Sequence, residues 1–108
     1  NDVARDVQIG LRKARADAVT QQKSQAFVVD TQNREFQIRG RKTTRLSEAI
    51  ELTAKVAQSE AMDGKAAVRF YPDGSSTGGR IGVHQDDEQI LINIDWLTGR
   101  VSLVQEQQ

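Results

Sequence analysis

The side chains best suited to metal binding or acid–base chemistry lie together in the C-terminal third of the chain. His84 is the only histidine, and Asp86, Asp87 and Glu88 follow it closely. A metal site needs several ligands that converge from different elements, and no spacing elsewhere supplies them. We therefore interpret His84 as a strand residue beside a solvated acidic turn, and we expect no metal and no cofactor.

A glycine- and serine-rich stretch could in principle cradle a phosphate or present a nucleophilic serine. It comprises residues 72–79, which are Pro72, Asp73, Gly74, Ser75, Ser76, Thr77, Gly78 and Gly79. It lies between two strand-like runs and does not open a helix, so no helix N-terminus would face an anion. A small hydrolase or nucleotide-binding domain is therefore only a third hypothesis. The favoured interpretation is a structured loop that joins two antiparallel strands, with a mobile tip.

The charge distribution has one asymmetric segment. The chain of 108 residues carries 15 basic and 15 acidic residues, so its net charge gives no general argument for nucleic acid. The basic segment between positions 34 and 45 contains a single acid, Glu35, and the residues Arg34, Arg39, Arg41, Lys42 and Arg45. It could contact anionic lipid headgroups, an acidic partner face or DNA, although no aromatic platform for base stacking is interleaved with these arginines. A solvated loop is the plainer interpretation, and Arg39 and Arg41 remain candidate partner contacts.

Trp96 is the only tryptophan, and it follows Asp95 at the end of a strand-like run. A single Trp at a turn commonly covers the edge of a core. Because Trp is enriched at binding hot spots, a contact with a partner is the alternative.

An amphipathic helix is expected over residues 1–23. Its apolar positions are spaced by three or four residues and draw one stripe on a helix. This predicted packing face consists of Val3, Val7, Leu11, Ala14 and Ala18.

Residues 24–108 show period-two patterns separated by short turns. Ile90, Ile92 and Ile94 alternate with polar or outward positions, and Val101 and Leu103 are expected to end the core. About seven strands with short links predict antiparallel neighbours. The expected fold is therefore a single α+β domain over 1–108, with the helix packed on an antiparallel sheet and a second sheet closing the other side. The absence of cysteine excludes disulfides and thiol catalysis.

Several stretches resemble a known family. The aromatic pair Phe70-Tyr71, followed by residues 72–79 and a short strand, resembles the C-terminal half of type II secretion minor pseudopilins of the H type. These proteins group with the FimT-like minor pilins. Residues 92–101, which include Trp96, resemble the last hairpin of that family, and residues 11–19 are similar to its helix before the first strand. Residues 25–60 match in pattern only.

The resemblance implies a pilin-like fold and a structural subunit without enzymatic activity. It implies a place near the tip of the type II secretion pseudopilus, where the filament assists export of folded proteins. The expected partners are other minor pseudopilins and the major pseudopilin, with neither nucleic acid nor a small-molecule substrate. An apolar segment of about 20 residues is expected before Asn1, anchoring the protein in the bacterial inner membrane with this domain in the periplasm. The alternative is a FimT-like minor pilin that acts in type IV pilus assembly or DNA uptake.

Overall fold

Helix α1 spans Asp2–Gln21 and turns one face into the core, as the spacing of its apolar residues predicted. The computed structural model describes the backbone of residues 2–107 and the side chains of residues 2–104. Within the predicted packing face, Val3 is half-buried and the other four residues are fully buried. Ala4 adds to this face. The buried residues of the helix are Ala4, Val7, Leu11, Ala14 and Ala18.

The end of α1 is set by a left-handed residue. Gln22 has a φ of 52°, and the backbone amide of Lys23 donates to the carbonyl of Ala18 at 3.2 Å. This arrangement is typical of helix C-termini. The helix is therefore slightly shorter than the expected 1–23, and Asn1 lies outside the described residues.

Nine strands follow the helix within residues 2–107. They are β1 (Gln25–Asp30), β2 (Glu35–Ile38), β3 (Thr44–Arg45), β4 (Glu51–Val56), β5 (Ala61–Met62), β6 (Lys65–Phe70), β7 (Gly79–Gln85), β8 (Glu88–Ile94) and β9 (Val101–Gln107). The seven longer strands lie where alternation predicted them. The two additional strands, β3 and β5, have two residues each, all exposed, so no burial pattern marks them in the sequence.

The strands form two antiparallel sheets. Sheet 1 has the order β3-β2-β1-β6-β5, and sheet 2 has the order β4-β7-β8-β9. The loop 72–79 is structured, as expected, and an isolated antiparallel bridge joins Phe70 and Ser76. The expectation that it joins two paired strands is wrong, because β6 belongs to sheet 1 and β7 to sheet 2. Strand β6 pairs with β1 and β5, whereas β7 pairs with β4 and β8. The loop 72–79 carries the chain from one sheet to the other.

Both sheets and the helix share one core cluster among the described side chains. Helix α1 contacts β1, β2 and β6 of sheet 1 and also β8 and β9 of sheet 2. Leu103, expected in the core, is 41% exposed, and Val101 is the last buried residue of β9 that is described. Across residues 2–107, no helix is both long enough and apolar enough to cross a membrane.

Gly10 brings the helix close to sheet 1. A Cβ atom at this position would lie 2.7 Å from Cε1 of Phe27. The ring of Phe27 is 1% exposed and stacks on Phe36, with 5.6 Å between the ring centroids. The absent side chain at position 10 therefore allows the aromatic pair to pack directly beneath the helix.

Candidate interaction surface

The acidic turn beside His84 has the character that the sequence predicted. His84 lies in β7, and its Nε2 is 3.3 Å from the hydroxyl of Thr53 in β4. Asp86 and Asp87 are exposed at the turn between β7 and β8. No group of three or more His, Cys, Asp or Glu side chains in the described part of the chain is arranged to hold a metal ion. His84 therefore remains a strand residue with a hydroxyl neighbour.

The loop 72–79 is held by hydrogen bonds along most of its length. The amide of Thr77 donates to the carbonyl of Arg69 at 2.9 Å, and the amide of Arg69 donates back to the Thr77 hydroxyl at 3.0 Å. The amide of Ser76 donates to the carbonyl of Trp96 at 2.8 Å, which ties the loop to the β8–β9 turn. This network argues against the mobile tip that the composition suggested.

The first turn of the loop is closed by Asp73. Its Oδ1 accepts the hydroxyl proton of Ser75 at 2.6 Å and the Ser75 amide at 2.9 Å. The hydroxyl bond, followed by the amide bond, lowers the pKa of the exposed Asp73 carboxyl.

Ser76 does not form a nucleophilic site. It is the central residue of a Gly-x-Ser-x-Gly spacing that begins at Gly74, but the loop leads into β7 and not into a helix. Ser76 is 5% exposed, and its hydroxyl accepts the amide of Gly78 at 2.9 Å. The Ser76 hydroxyl therefore stabilises the loop.

Arg15 joins helix α1 to both loops at this end of the domain. Its Nε is 3.1 Å from the carbonyl oxygen of Gly74 and 3.1 Å from that of Thr98. Gly74 and Gly99 have φ values of 90° and 72°, and a Cβ on Gly99 would overlap the Gly74 carbonyl oxygen. Two glycines in left-handed conformations therefore leave the space through which the Arg15 side chain passes. We call this arrangement the Arg15 clamp.

The β8–β9 connection, residues 95–100, exposes two large apolar side chains. We call it the Trp96 turn. Trp96 is 66% exposed and Leu97 is 65% exposed, so the interpretation of Trp96 as a cover for the core edge is wrong. Oδ1 of Asp95 accepts hydrogen bonds from the backbone amides of Leu97 at 2.8 Å and Thr98 at 3.3 Å. These bonds fix the turn that carries Trp96 and Leu97. An exposed aromatic on a fixed turn favours the partner-contact alternative.

A cleft of about 450 Å³ lies between α1 and the Trp96 turn. We call it the arginine cleft. It is lined by Arg12, Arg15, Ala16, Thr98, Gly99, Arg100 and Val101. Its lining therefore includes three arginines and no acidic residue.

The basic segment 34–45 is less available than its composition suggested. Nη2 of Arg41 is 2.6 Å from the buried Oδ2 of Asp17 on α1, an ion pair without hydrogen-bond alignment. Arg45 forms an ion pair with Glu35. Arg39 is exposed beside a shallow hollow on the outer face of sheet 1. The segment is therefore partly neutralised by the domain itself.

The β1–β2 turn is stabilised by a buried carboxylate. Asp30 is 8% exposed, and it accepts the Asn33 side-chain amide at 2.9 Å and the backbone amides of Asn33 and Gln32 at 3.0 and 3.2 Å. The bond from the Asn33 side chain, followed by that from its backbone, lowers the pKa of Asp30.

The structure brings some of the candidate residues from the sequence together at one end of the domain and leaves others apart. The loop 72–79 and Trp96 meet at one end of the domain, whereas Arg39 and Arg41 belong to the region around sheet 1 and α1. Arg12, Arg15 and Arg100 were not predicted as a group. Arg12 and Arg15 are three positions apart on α1, but Arg100 is far from both in the sequence. The only local signal was that these residues lie in the stretches 11–19 and 92–101 that resembled the family.

Comparison with known proteins assigns the chain to a family. A family model described as type II transport protein GspH matches residues 3–98. Type II secretion system protein H of Xanthomonas campestris pv. campestris is 33% identical over 92 residues. That alignment covers 84% of this chain and 54% of the relative, so the chain spans about half the length of the curated relative it matches.

Solved structures share the fold at low sequence identity. The minor pseudopilin EpsH from the type 2 secretion system of Vibrio cholerae superposes with a TM-score of 0.76 at 14% identity, over 95% of this chain and 94% of that one. The type IV minor pilin FimU of Pseudomonas aeruginosa gives a TM-score of 0.72 at 15% identity, over 95% and 86% of the two chains. The expected pilin-like α+β fold is therefore confirmed. With its helix, its two sheets and a family match over residues 3–98, the chain belongs to the family of type II transport protein GspH.

Proposed function

We propose that this chain is the globular domain of a minor pseudopilin near the tip of a type II secretion pseudopilus, where it assists export of folded proteins. Membership of the GspH family is the observation that carries the proposal. The position of α1 supports it, because one face of the helix is buried against the sheets. A preceding apolar helix could continue α1 into the inner membrane, which would leave this domain in the periplasm.

The partners we propose are other minor pseudopilins and the major pseudopilin. The Trp96 turn supplies an exposed apolar contact of the kind that protein interfaces favour. The role is structural. The buried hydroxyl of Ser76, which accepts the amide of Gly78, supports the expectation that no reaction is carried out at this residue.

The FimT-like alternative depended on the basic segment 34–45. Two of its five basic side chains, Arg41 and Arg45, are paired with acids of the domain itself. The likeness to FimU concerns the fold and gives no separate support for DNA uptake. Secretion is therefore the proposal we prefer.

Deletion of the full-length gene in its own bacterium tests the proposal. We expect the extracellular level of a type II secretion cargo to fall and to recover when the wild-type gene is restored. The His84→Ala variant should restore secretion fully, because we assign no chemistry to that side chain. Normal secretion in the deletion strain, combined with loss of pili or of DNA uptake, would replace the proposal with the FimT-like alternative.

A further inference from the structure

The arginine cleft contains positive charge that the described part of the domain does not neutralise. The three ion pairs among the described side chains join Arg41 to Asp17, Arg45 to Glu35, and Arg69 to Glu60. None of these pairs includes an arginine of the cleft. An arrangement of like charges without a carboxylate is electrostatically suited to an acidic group from another molecule.

The cleft arginines differ in how firmly they are held. Nε of Arg15 is fixed by two backbone carbonyls in the Arg15 clamp. Nη2 of Arg12 reaches the carbonyl of Val101 at 3.4 Å, which is a weak contact. The side chain of Arg100 is exposed and belongs to none of the described ion pairs. Arg100 is therefore the cleft residue that is most available to a carboxylate.

The exposed apolar side chains and one wall of the arginine cleft belong to the same turn. Trp96 and Leu97 belong to the same turn as Thr98, Gly99 and Arg100, which line the cleft. Gly78 leaves room for this turn, since a Cβ there would lie 2.9 Å from Cβ of Trp96. One turn thus presents an aromatic ring, an aliphatic side chain and a guanidinium group, while its one acid, Asp95, accepts two backbone amides of the turn itself through Oδ1.

We propose that the Trp96 turn and the arginine cleft form one docking surface for an acidic segment of a neighbouring pseudopilin. An apolar side chain of that segment packs on Trp96 and Leu97, and an adjacent carboxylate enters the cleft beside Arg100. The inference rests on the proposed function. It goes further by giving the surface and the chemistry of the partner segment.

A protein segment fits this surface better than a nucleic acid does. Single-stranded nucleic acid is bound by a basic groove that follows its backbone, with aromatic rings on which successive bases stack. Here a single aromatic residue stands beside an aliphatic one, and the net charge of the chain is zero. Aromatic and Arg anchors in a desolvated centre are typical of protein–protein hot spots.

Binding of this chain to each full-length, detergent-solubilised pseudopilin of its own secretion system tests the inference. Calorimetry or anisotropy should find at least one pseudopilin that binds. Trp96→Ala and Arg100→Glu should each weaken that binding by about tenfold or more. The matched controls are Met62→Ala, an exposed apolar side chain on sheet 1, and Arg5→Glu, an exposed cation on α1. Both controls should bind like the wild-type chain, and circular dichroism should show that all four variants fold.

The partner's acidic residue can then be identified by charge exchange. In the pseudopilin that binds, each surface Asp or Glu is changed to Arg in turn. One such change should restore binding to the Arg100→Glu chain while it weakens binding to the wild-type chain. Restoration by none of the partner variants would contradict the carboxylate contact.

The remaining outcomes separate this inference from the proposed function. Equal binding by wild-type, Trp96→Ala and Arg100→Glu chains would place the contact elsewhere and overturn the inference, while the pseudopilin role would stand. The same holds if no pseudopilin binds although the gene restores secretion. Binding of a labelled DNA duplex that Arg100→Glu abolishes would identify nucleic acid as the occupant. Self-association that Trp96→Ala abolishes would identify a second copy of this chain. Either result would also overturn the inference. Failure of the wild-type gene to restore secretion would instead refute the proposed function.

Discussion

Gly10→Ala is the substitution whose effect the packing of α1 predicts most sharply. Replacing a helical glycine by alanine normally stabilises a helix by about 1 kcal/mol, because alanine loses less backbone entropy on folding. At position 10 the new methyl group would lie 2.7 Å from Cε1 of Phe27. The ring is 1% exposed and stacked on Phe36, which opposes its displacement, although a cleft of about 290 Å³ borders Gly10 and both rings.

The two effects have opposite signs, and we expect the steric effect to be larger. Overfilling a packed core typically costs about 1–3 kcal/mol. After subtraction of the helix-propensity gain, Gly10→Ala should lower the free energy of unfolding by about 1 kcal/mol. Urea denaturation followed by circular dichroism measures this directly. In a thermal melt, the same loss lowers Tm by about 4–8 °C for a domain near this size.

Two control variants separate the helix-propensity effect from the steric effect. Ala16→Gly, at an exposed position of the same helix, should cost about 1 kcal/mol and thereby report the propensity term alone. In a Phe27→Leu background the aromatic ring is gone, so Gly10→Ala should become neutral or stabilising. A Gly10→Ala chain that is more stable than wild type would refute the reasoning, because the helix could not then lie at the described distance from Phe27.

Three further predictions follow from the described contacts. Leu11→Ala should lower the free energy of unfolding by about 2–5 kcal/mol, because Leu11 is fully buried. As a control, Lys13→Ala at an exposed position should change it by less than about 0.5 kcal/mol. Equal small losses for the two variants in urea melts would mean that α1 does not dock. Because the pKa of Asp30 is lower in the folded protein than in the unfolded chain, its carboxylate stabilises the fold. This contribution is complete above the usual Asp pKa near 4 and is lost as the pH falls through the lower pKa of the folded state. Melts taken across this pH range should therefore show a smaller loss of stability at acidic pH for Asp30→Ala than for the wild-type chain. Backbone amides of residues 73–79 should give NMR order parameters as high as those of the strands, and low values would show that the described hydrogen bonds open in solution.

The helix and the longer strands could be predicted because burial leaves a period in the sequence. Val7, Leu11 and Ala18 follow the helical repeat, and Ile90, Ile92 and Ile94 follow the strand repeat. Alternation reveals which face of a strand is buried, but it does not reveal which strand lies beside it. The chain's crossing from sheet 1 to sheet 2 after Phe70 was therefore missed, and the expectation that the loop 72–79 joins two paired strands was wrong.

The candidate surface was predictable only in its separate parts. Trp96 and the loop 72–79 stood out by residue type and by their resemblance to a family. Their meeting depends on a backbone hydrogen bond from Ser76 to Trp96, which no side-chain identity encodes. The Arg15 clamp brings together residues 59 and 83 positions apart, so local patterns could not indicate it.

The Arg15 clamp has a consequence for the thermodynamics of docking. Association usually costs conformational entropy when loops must become ordered at an interface. Here the Trp96 turn is already connected to the loop 72–79 and to α1 before any partner arrives. A partner would need to restrict only the side chains of Trp96, Leu97 and Arg100, so this preorganised surface can support a specific contact over a small area. Loosening the backbone contacts of Arg15 would then weaken docking through an unfavourable entropy change.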